Sequence, residues 1–263
     1  MTFADYRGTR VVVTGCSSGV GEAAARALVD LGAEVFGLSR RRPTFPIAQF
    51  HSVDLASVDS VDHATSLLSG PVDALFNCAG APPTLSSREI LKVNFLGPRL
   101  LTERVIEIMP PGGAIANVSS SVAGAWRDHL PVIREFVDTP SYDSGLAWYE
   151  EHEKIAGHGY PFSKQALTVW TLQQSSVLVK RGLRINAASP GQVDTALLEV
   201  SQQAFPPELL AASLRPSGRA STVQEQVLPL LFLNSRGASY VNGADLAVDG
   251  GNSAIQATEV RAG

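Results

Sequence analysis

Cysteine is almost missing from this chain of 263 residues, where Cys16 and Cys78 are the only two. Neither has a metal-ligating neighbour at useful spacing, so a disulfide framework or a structural zinc site has nothing to rest on. Long hydrophobic runs are missing too. No stretch reaches the roughly 18 consecutive apolar residues of a membrane-spanning helix, and the opening MTFADYRGTR lacks the apolar centre of a secretory leader. Positive charge is not in excess either. A formal net charge of -4 disfavours nucleic acid and anionic membrane as partners, since both reward cationic surfaces. These absences lead us to expect a soluble, cytoplasmic protein whose partner is a small molecule, with no metal.

What is present is apolar: 44% of the residues are hydrophobic, enough for a sizeable core. The runs TRVVVT, AEVFGLS, AQFHSVDL, VDALFNCAG, AIANVS and RINAAS read as strands, the most apolar of them suited to burial on both faces. Between them lie helical stretches: GEAAARALVDLG ending near Gly32, SVDSVDHATSLL, one long helix across EILKVNFLGPRLLTERVIEIM, and another from about Ser163. This alternation predicts a mostly parallel sheet covered by helices on both faces, formed as one domain over 1–263.

Residues 125–159 interrupt the pattern. Trp126, Phe136, Tyr142, Trp148 and Tyr149 stand there among seven acidic and three basic side chains, and LAWYEEHEKIAG suits a short helix with its glutamates toward solvent. So aromatic a segment is expected to pack on something, either as a lid or wall of a binding site or as a surface insertion that serves assembly.

Gly15, Gly19 and Gly21 of TGCSSGVG sit between the first strand and the first helix. That is where a dinucleotide loop needs a sharp turn, close backbone approach to a pyrophosphate, and helix amides aimed at phosphate oxygens. The same glycines alone would serve a plain turn. Where a free ribose 2′-hydroxyl would call for an acid at the end of the second strand, this chain has Ser39 followed by Arg40, Arg41 and Arg42. Guanidinium groups favour a 2′-phosphate, which points to NADP, with NAD as the alternative if the arginines form only a solvated basic turn. Asp54 is placed either to accept from an adenine amino group or to cap a helix. The small residues of NCAG, Asn77 to Gly80, either let an adenosine lie against the backbone or make a tight turn.

Tyr160 and Lys164 in YPFSK are four residues apart and share a helical face. A phenol with a pKa near 10 becomes useful at neutral pH when a neighbouring ammonium favours its phenolate. The pair is otherwise an ordinary surface contact. ANVSSSVAG ends a strand in hydroxyls, one of which is suited to hold a substrate oxygen beside Tyr160. Asn94 of KVNFLG is a candidate either for orienting a water on the path from Lys164 or for tying two helices together. Thr195 of SPGQVDT is a candidate to hold a nicotinamide carboxamide.

In this order, TGCSSGVG, NCAG, KVNFLG, the serine cluster, YPFSK and SPGQVDT resemble the motifs of the short-chain dehydrogenase/reductase family, and YVNGADLAVDGG resembles its last strand. The resemblance covers nearly the whole chain. It implies a single Rossmann-like, doubly wound α/β domain with a seven-stranded parallel sheet, here with an insertion before the helix of the tyrosine. It implies Tyr160 as acid/base, Lys164 as the group that lowers its pKa and binds the nicotinamide ribose, and Asn94 as the end of a proton relay. It also implies that Gly15, Ser17, Ser18, Gly19, Val20, Gly21, Leu55, Asn77, Ala79, Gly80, Pro190, Gly191, Val193 and Thr195 contact the cofactor, together with Ser39, Arg40 and Asp54.

Two departures stand out. NVSSSVAG has one residue more than the common form, so counting from the strand selects Ser120 and counting back from Gly124 selects Ser121; strand register favours Ser120. The serine and tyrosine are also separated by about forty residues rather than about a dozen. A comparable insertion occurs in one bacterial branch of the family, the 3α-hydroxysteroid dehydrogenases/carbonyl reductases, where it alters the assembly surface and favours a dimer. A homo-oligomer, with the dimer favoured, is therefore expected. The acid of that branch's nucleotide site is absent here, so its NAD preference does not carry over. The function expected is reversible hydride transfer between NADP(H) and a bulky, cyclic secondary alcohol or ketone. The alternatives are an NAD-linked dehydrogenase and, in another class, a dinucleotide-binding sensor or scaffold without turnover.

Overall fold

The structure, a computed structural model, describes residues 5–202, 204–214 and 216–258. Seven strands form one sheet in the order β3-β2-β1-β4-β5-β6-β7. They are β1 (Arg10–Thr14), β2 (Glu34–Ser39), β3 (Gln49–Ser52), β4 (Ala74–Asn77), β5 (Ala114–Val118), β6 (Arg184–Pro190) and β7 (Asp245–Val248). Every pairing is parallel. The helices are α1 (Gly19–Asp30), α2 (Val58–Ser66), α3 (Ser87–Leu91), α4 (Gly97–Val105), α5 (Leu130–Val137), α6 (Tyr142–Ala156), α7 (Gly159–Leu178), α8 (Ala196–Ser201), α9 (Pro207–Leu214), α10 (Val223–Asn234) and α11 (Asn252–Thr258). This is the Rossmann-like, doubly wound arrangement.

RVVVT, ALFN and AIANV alternate little because both faces of their strands are covered. One apolar cluster lies under α1 and α10, with Val11, Val13, Leu28, Phe76 and Leu230 fully buried or nearly so. The other lies under α2, α4 and α7, with Val12, Leu75, Phe95, Leu101 and Ile115 at its centre. Strand order reverses at β1, which pairs with β2 on one side and β4 on the other. Loops leaving the C-terminal ends of β1 and β4 therefore part there and leave a crevice. Among the described residues no helix is long and apolar enough to cross a membrane.

Three elements differ from expectation. The single helix expected across 89–109 is α3, a π-helical turn (Lys92–Leu96), α4 and a short 3-10 stretch (Ile106–Ile108). The π turn holds Asn94, and such turns recur where a helix is adapted to a site. Helix α7 begins at Gly159 rather than near Ser163. Pro161 falls in its first turn, where a missing amide hydrogen costs nothing, and the His158 side chain caps the start by accepting from the Tyr160 amide.

The third concerns 125–159. The LAWYEEHEKIAG stretch is helical as expected, within the longer α6, and Glu150, Glu151 and Glu153 are exposed. Its aromatic residues point the other way. Phe136 meets Phe95 with centroids 5.0 Å apart and Phe162 at 5.2 Å, and Trp148 stacks over Phe162. Arg99 fastens the segment to α4 by donating to the carbonyls of Val137 and Thr139. The insertion is therefore built onto the outer faces of α4 and α7.

Candidate active site

The crevice at the C-terminal ends of β1, β2, β4 and β5 is the mouth of a cleft of about 860 Å³. Gly15, Ser17, Ser18, Gly19 and Val20 line one side, Cys78, Ala79 and Gly80 the next, and Ser120, Ser121, Tyr160 and Lys164 the far side. Pro190, Gly191, Val193 and Thr195 close it from β6. Asp54 and Leu55 line it beyond β3. Gly21 and Asn77 do not line it.

The glycines divide by what a side chain would meet. A Cβ on Gly21 would lie 2.4 Å from the Gly15 carbonyl oxygen, well inside van der Waals contact, so Gly21 is required for α1 to leave β1 at this angle. At Gly19, with φ +57°, the nearest atom is the Thr195 methyl at 3.8 Å. Its missing side chain leaves space in the cleft, between the turn and the β6 loop. Ser18 holds the N-cap position of α1 without a side-chain hydrogen bond. The first amides of this 12-residue helix thus meet the cleft with no side-chain acceptor, which suits a phosphate.

Ser39 is buried at the end of β2 and donates to the Arg41 carbonyl at 2.5 Å. Arg40 and Arg41 are exposed on the cleft lip, and neither is in an ion pair among the described residues. Arg42 instead lies over the Phe50 ring, 5.1 Å from its centroid. Asp54 accepts from the Ala56 amide, and the cap of α2 is Ser57, so the helix-cap alternative for Asp54 is not the one adopted. Asn77 donates to Thr102 and to Asn117, locking β4 to α4 and to β5 beneath the cleft floor.

At the far side the chain brings the candidate chemistry together. Ser120 ends the turn after β5 in extended backbone and its hydroxyl accepts from the Val122 amide. Burial pushes the Tyr160 phenol above its ordinary value, and a hydrogen bond with Ser120 acts in the opposite direction. Ser121 is buried next to Ser120 and lines the same cleft. Ser119 is turned away, bonded to Thr168 and to the Lys164 carbonyl. Lys164 is only 5% exposed, and its Nζ donates to the Val118 carbonyl at 2.8 Å. Burial pushes its ammonium down to about 8, against a smaller opposing effect of Cys78.

The ammonium is held by the end of β5, and burial governs both groups. Asn94 is buried within the π-helical turn. Its Oδ1 accepts from the Ala81 amide at 2.7 Å and its Nδ2 donates to Ser163 at 3.3 Å. These bonds tie its own turn to the loop after β4 and to α7. Thr195 stands at the N-cap position of α8 without a side-chain cap bond, its hydroxyl donating back to the Val193 carbonyl.

Of residues 125–159 only Ala125 lines the cleft, so the insertion is not its lid or wall. The wall is α8 and α9, which sequence reading passed over. Leu197, Val200, Phe205, Leu209 and Leu210 face the cleft from this segment. Its two ends are fastened at one point by a bridge between Val193 and Ser221, and Gln192 donates to the Leu210 carbonyl and Ser213 beneath α9. The signal available was the apolar run of ALLEVSQQAF and PELLAASL between the SPGQVDT turn and the last strand.

Residues 9–132 match the family model described as short chain dehydrogenase, and 146–253 the model described as Enoyl-(Acyl carrier protein) reductase. The chain is 32% identical to coniferyl-alcohol dehydrogenase of Pseudomonas sp. strain HR199, over 92% of this chain and 95% of that one. The chain belongs to the short-chain dehydrogenase/reductase family. It is an oxidoreductase of that type, built for a dinucleotide cofactor. It is also 28% identical to 3-alpha-hydroxysteroid dehydrogenase/carbonyl reductase of Comamonas testosteroni, over 93% of this chain and 96% of the relative. Among solved structures, the 3-alpha-hydroxysteroid dehydrogenase of Pseudomonas sp. B-0831, complexed with NADH, superposes with a TM-score of 0.79 at 25% identity, covering 96% of this chain and all of that one. The likeness is to the family, and no one branch of it is singled out.

Proposed function

We propose that this chain, acting as one domain over 1–263, catalyses reversible hydride transfer between NADP(H) and a bulky, cyclic secondary alcohol or its ketone. The observation that carries the reading is the shape of the cleft. Its Ser120–Tyr160–Lys164 end is separated by a glycine turn and a helix N-terminus from a lip bearing Arg40 and Arg41, which have no acidic partner among the described residues. A bound nicotinamide supplies the hydride acceptor or donor; the gap at Gly19, the first turn of α1 and the arginines are suited to its phosphates.

The protein's own part is proton handling and positioning. Ser120 offers a hydroxyl to the substrate oxygen, which stabilises charge developing there. Tyr160 takes the hydroxyl proton during oxidation and returns it during reduction. Lys164 has two N–H donors beyond the one given to Val118 and is suited to a ribose hydroxyl. Asn94 acts as a positioning residue, since both ends of its amide hold protein groups. The apolar faces of α8 and α9 account for a bulky substrate, a role the sequence had suggested for the aromatic insertion. The 32% identity to coniferyl-alcohol dehydrogenase supports offering ring-bearing alcohols as substrates. A homodimer is proposed on the free edge of the sheet, where Leu246 of β7 and Leu228 of α10 are exposed, the latter at 70%.

The cofactor choice is open to a direct test. The double variant Arg40→Ala, Arg41→Ala is expected to lower kcat/KM for NADP by roughly 10- to 100-fold, the range for losing one or two charge-assisted hydrogen bonds. Activity with NAD should change by less than about threefold. Equal losses with both dinucleotides, or none, would show the arginines to be surface charge.

A further inference from the structure

The charged groups of the cleft are unevenly placed. Arg40, Arg41 and Asp54 lie at the lip where β2 and β3 end, and Lys164 lies at the reacting centre. Among the described residues, the remainder of the lining has no charged side chain. Val122, Leu197, Phe205, Leu209, Leu210 and Ile255 make it largely apolar, and its polar groups are uncharged hydroxyls and amides, Thr195, Asn252 and Gln256 among them. Three separate segments supply this surface: the turn after β5, the α8–α9 wall and α11. Phe205 is its aromatic member nearest the chemistry, with its ring edge-on to Tyr160 at 6.3 Å between centroids and 66° between planes.

We propose that this surface selects an electrically neutral, ring-bearing alcohol and rejects its carboxylated counterpart, with Phe205 as the residue that grips the ring. The proposal rests on the oxidoreductase reading above and goes further by naming the charge class of the substrate. A carboxylate brought against these leucines would lose its water and gain no cation among the described residues in exchange. Lys164 does not serve as that cation. Its Nζ is bonded to Val118 at the end of β5, at the reacting end of the cleft, whereas the carboxylate of a ring acid would sit at the opposite end of the substrate. A flat ring placed beside Phe205 gains an offset or edge-on contact while its carbinol reaches Tyr160 and Ser120. Atoms and electrons balance as in any alcohol oxidation: the carbinol C–H bond breaks with its electron pair going to the nicotinamide, and the O–H proton goes to Tyr160.

The test uses matched pairs on one scaffold, with 1-(4-methylphenyl)ethanol and 1-(4-carboxyphenyl)ethanol as the first pair and the corresponding 4-substituted cyclohexanols as the second. With wild-type protein and NADP, kcat/KM for the neutral member is expected to exceed that for the acid by at least about 100-fold. Leu209→Arg should narrow this ratio at least tenfold, and Leu197→Arg is the second probe. Both leucines are substantially exposed, at 58% and 39%, so neither substitution removes core packing. Phe205→Ala should raise KM for the aromatic neutral alcohol about tenfold, with kcat less affected, and Phe205→Tyr should restore it. Acids used as well as neutral alcohols would overturn this proposal and leave the oxidoreductase reading standing. Turnover of no member of either pair, with dinucleotide binding intact, would remove both.

Discussion

Replacing Tyr160 by phenylalanine is expected to lower turnover by roughly 10³-fold, within the span usual for a general acid or base. Dinucleotide affinity should stay within about threefold of wild type. The ring is half-buried beside Phe205, so phenylalanine keeps the packing and removes only the hydroxyl that meets Ser120. Steady-state rates and a binding titration on the same preparation separate the two quantities. Burial holds the phenol above its ordinary pKa, so alcohol oxidation, which needs the ionised form, should rise with pH into the alkaline range. Ketone reduction needs the protonated form and should decline only there. Unchanged turnover in the variant would remove Tyr160 from the mechanism.

Lys164→Met is expected to reduce turnover by roughly 10²- to 10⁴-fold and yet to yield a more stable protein. Methionine replaces a buried ammonium by a chain of similar length that needs no partner. Burial takes the Lys164 pKa from 10.5 to about 8 in the folded chain. The unfolded chain therefore binds this proton more tightly, and folding is penalised. The penalty is present in full below about pH 8, fades as pH rises and is gone above about 10.5. At 1.36 kcal/mol per pKa unit it is on the order of 3 kcal/mol, before the lost hydrogen bond to Val118 is deducted. Denaturant melts at pH 7 and pH 10.5 should show the variant's advantage at the lower pH and its loss at the higher. A less stable variant at pH 7 would mean that the ammonium is well solvated or paired in the folded protein.

Much of the architecture was legible because its signals are local and strong. Strands buried on both faces read as Val, Ile, Ala and Phe runs, and the turn at Gly15 to Gly21 lies where a strand feeds a helix. The wall of the cleft was not legible, for a physical reason. No residue of α8 or α9 is buried, so their leucines face open space and give no periodicity that separates a wall from a surface helix. The insertion misled in the opposite sense. Trp148 and Phe136 were visible as aromatic residues in need of a partner, but composition does not say whether that partner is a substrate or the flank of α7. The choice between Ser120 and Ser121 could not be read from spacing, because the extra residue before Gly124 shifts the count, and both serines line the cleft. Nor can spacing show that Lys164 turns toward Val118, since the strand end that holds it lies 46 residues away.

Absorbance of reduced nicotinamide, followed while wild-type protein is offered NADP or NAD with a panel of cyclic and aromatic alcohols, tests the central claim most directly. The expected result is formation of the reduced cofactor with at least one ring-bearing neutral alcohol, faster with NADP than with NAD. Binding of both dinucleotides without reduction by any alcohol, and without oxidation of the reduced forms by the matching ketones, would contradict it and leave a binding protein on an enzyme's fold.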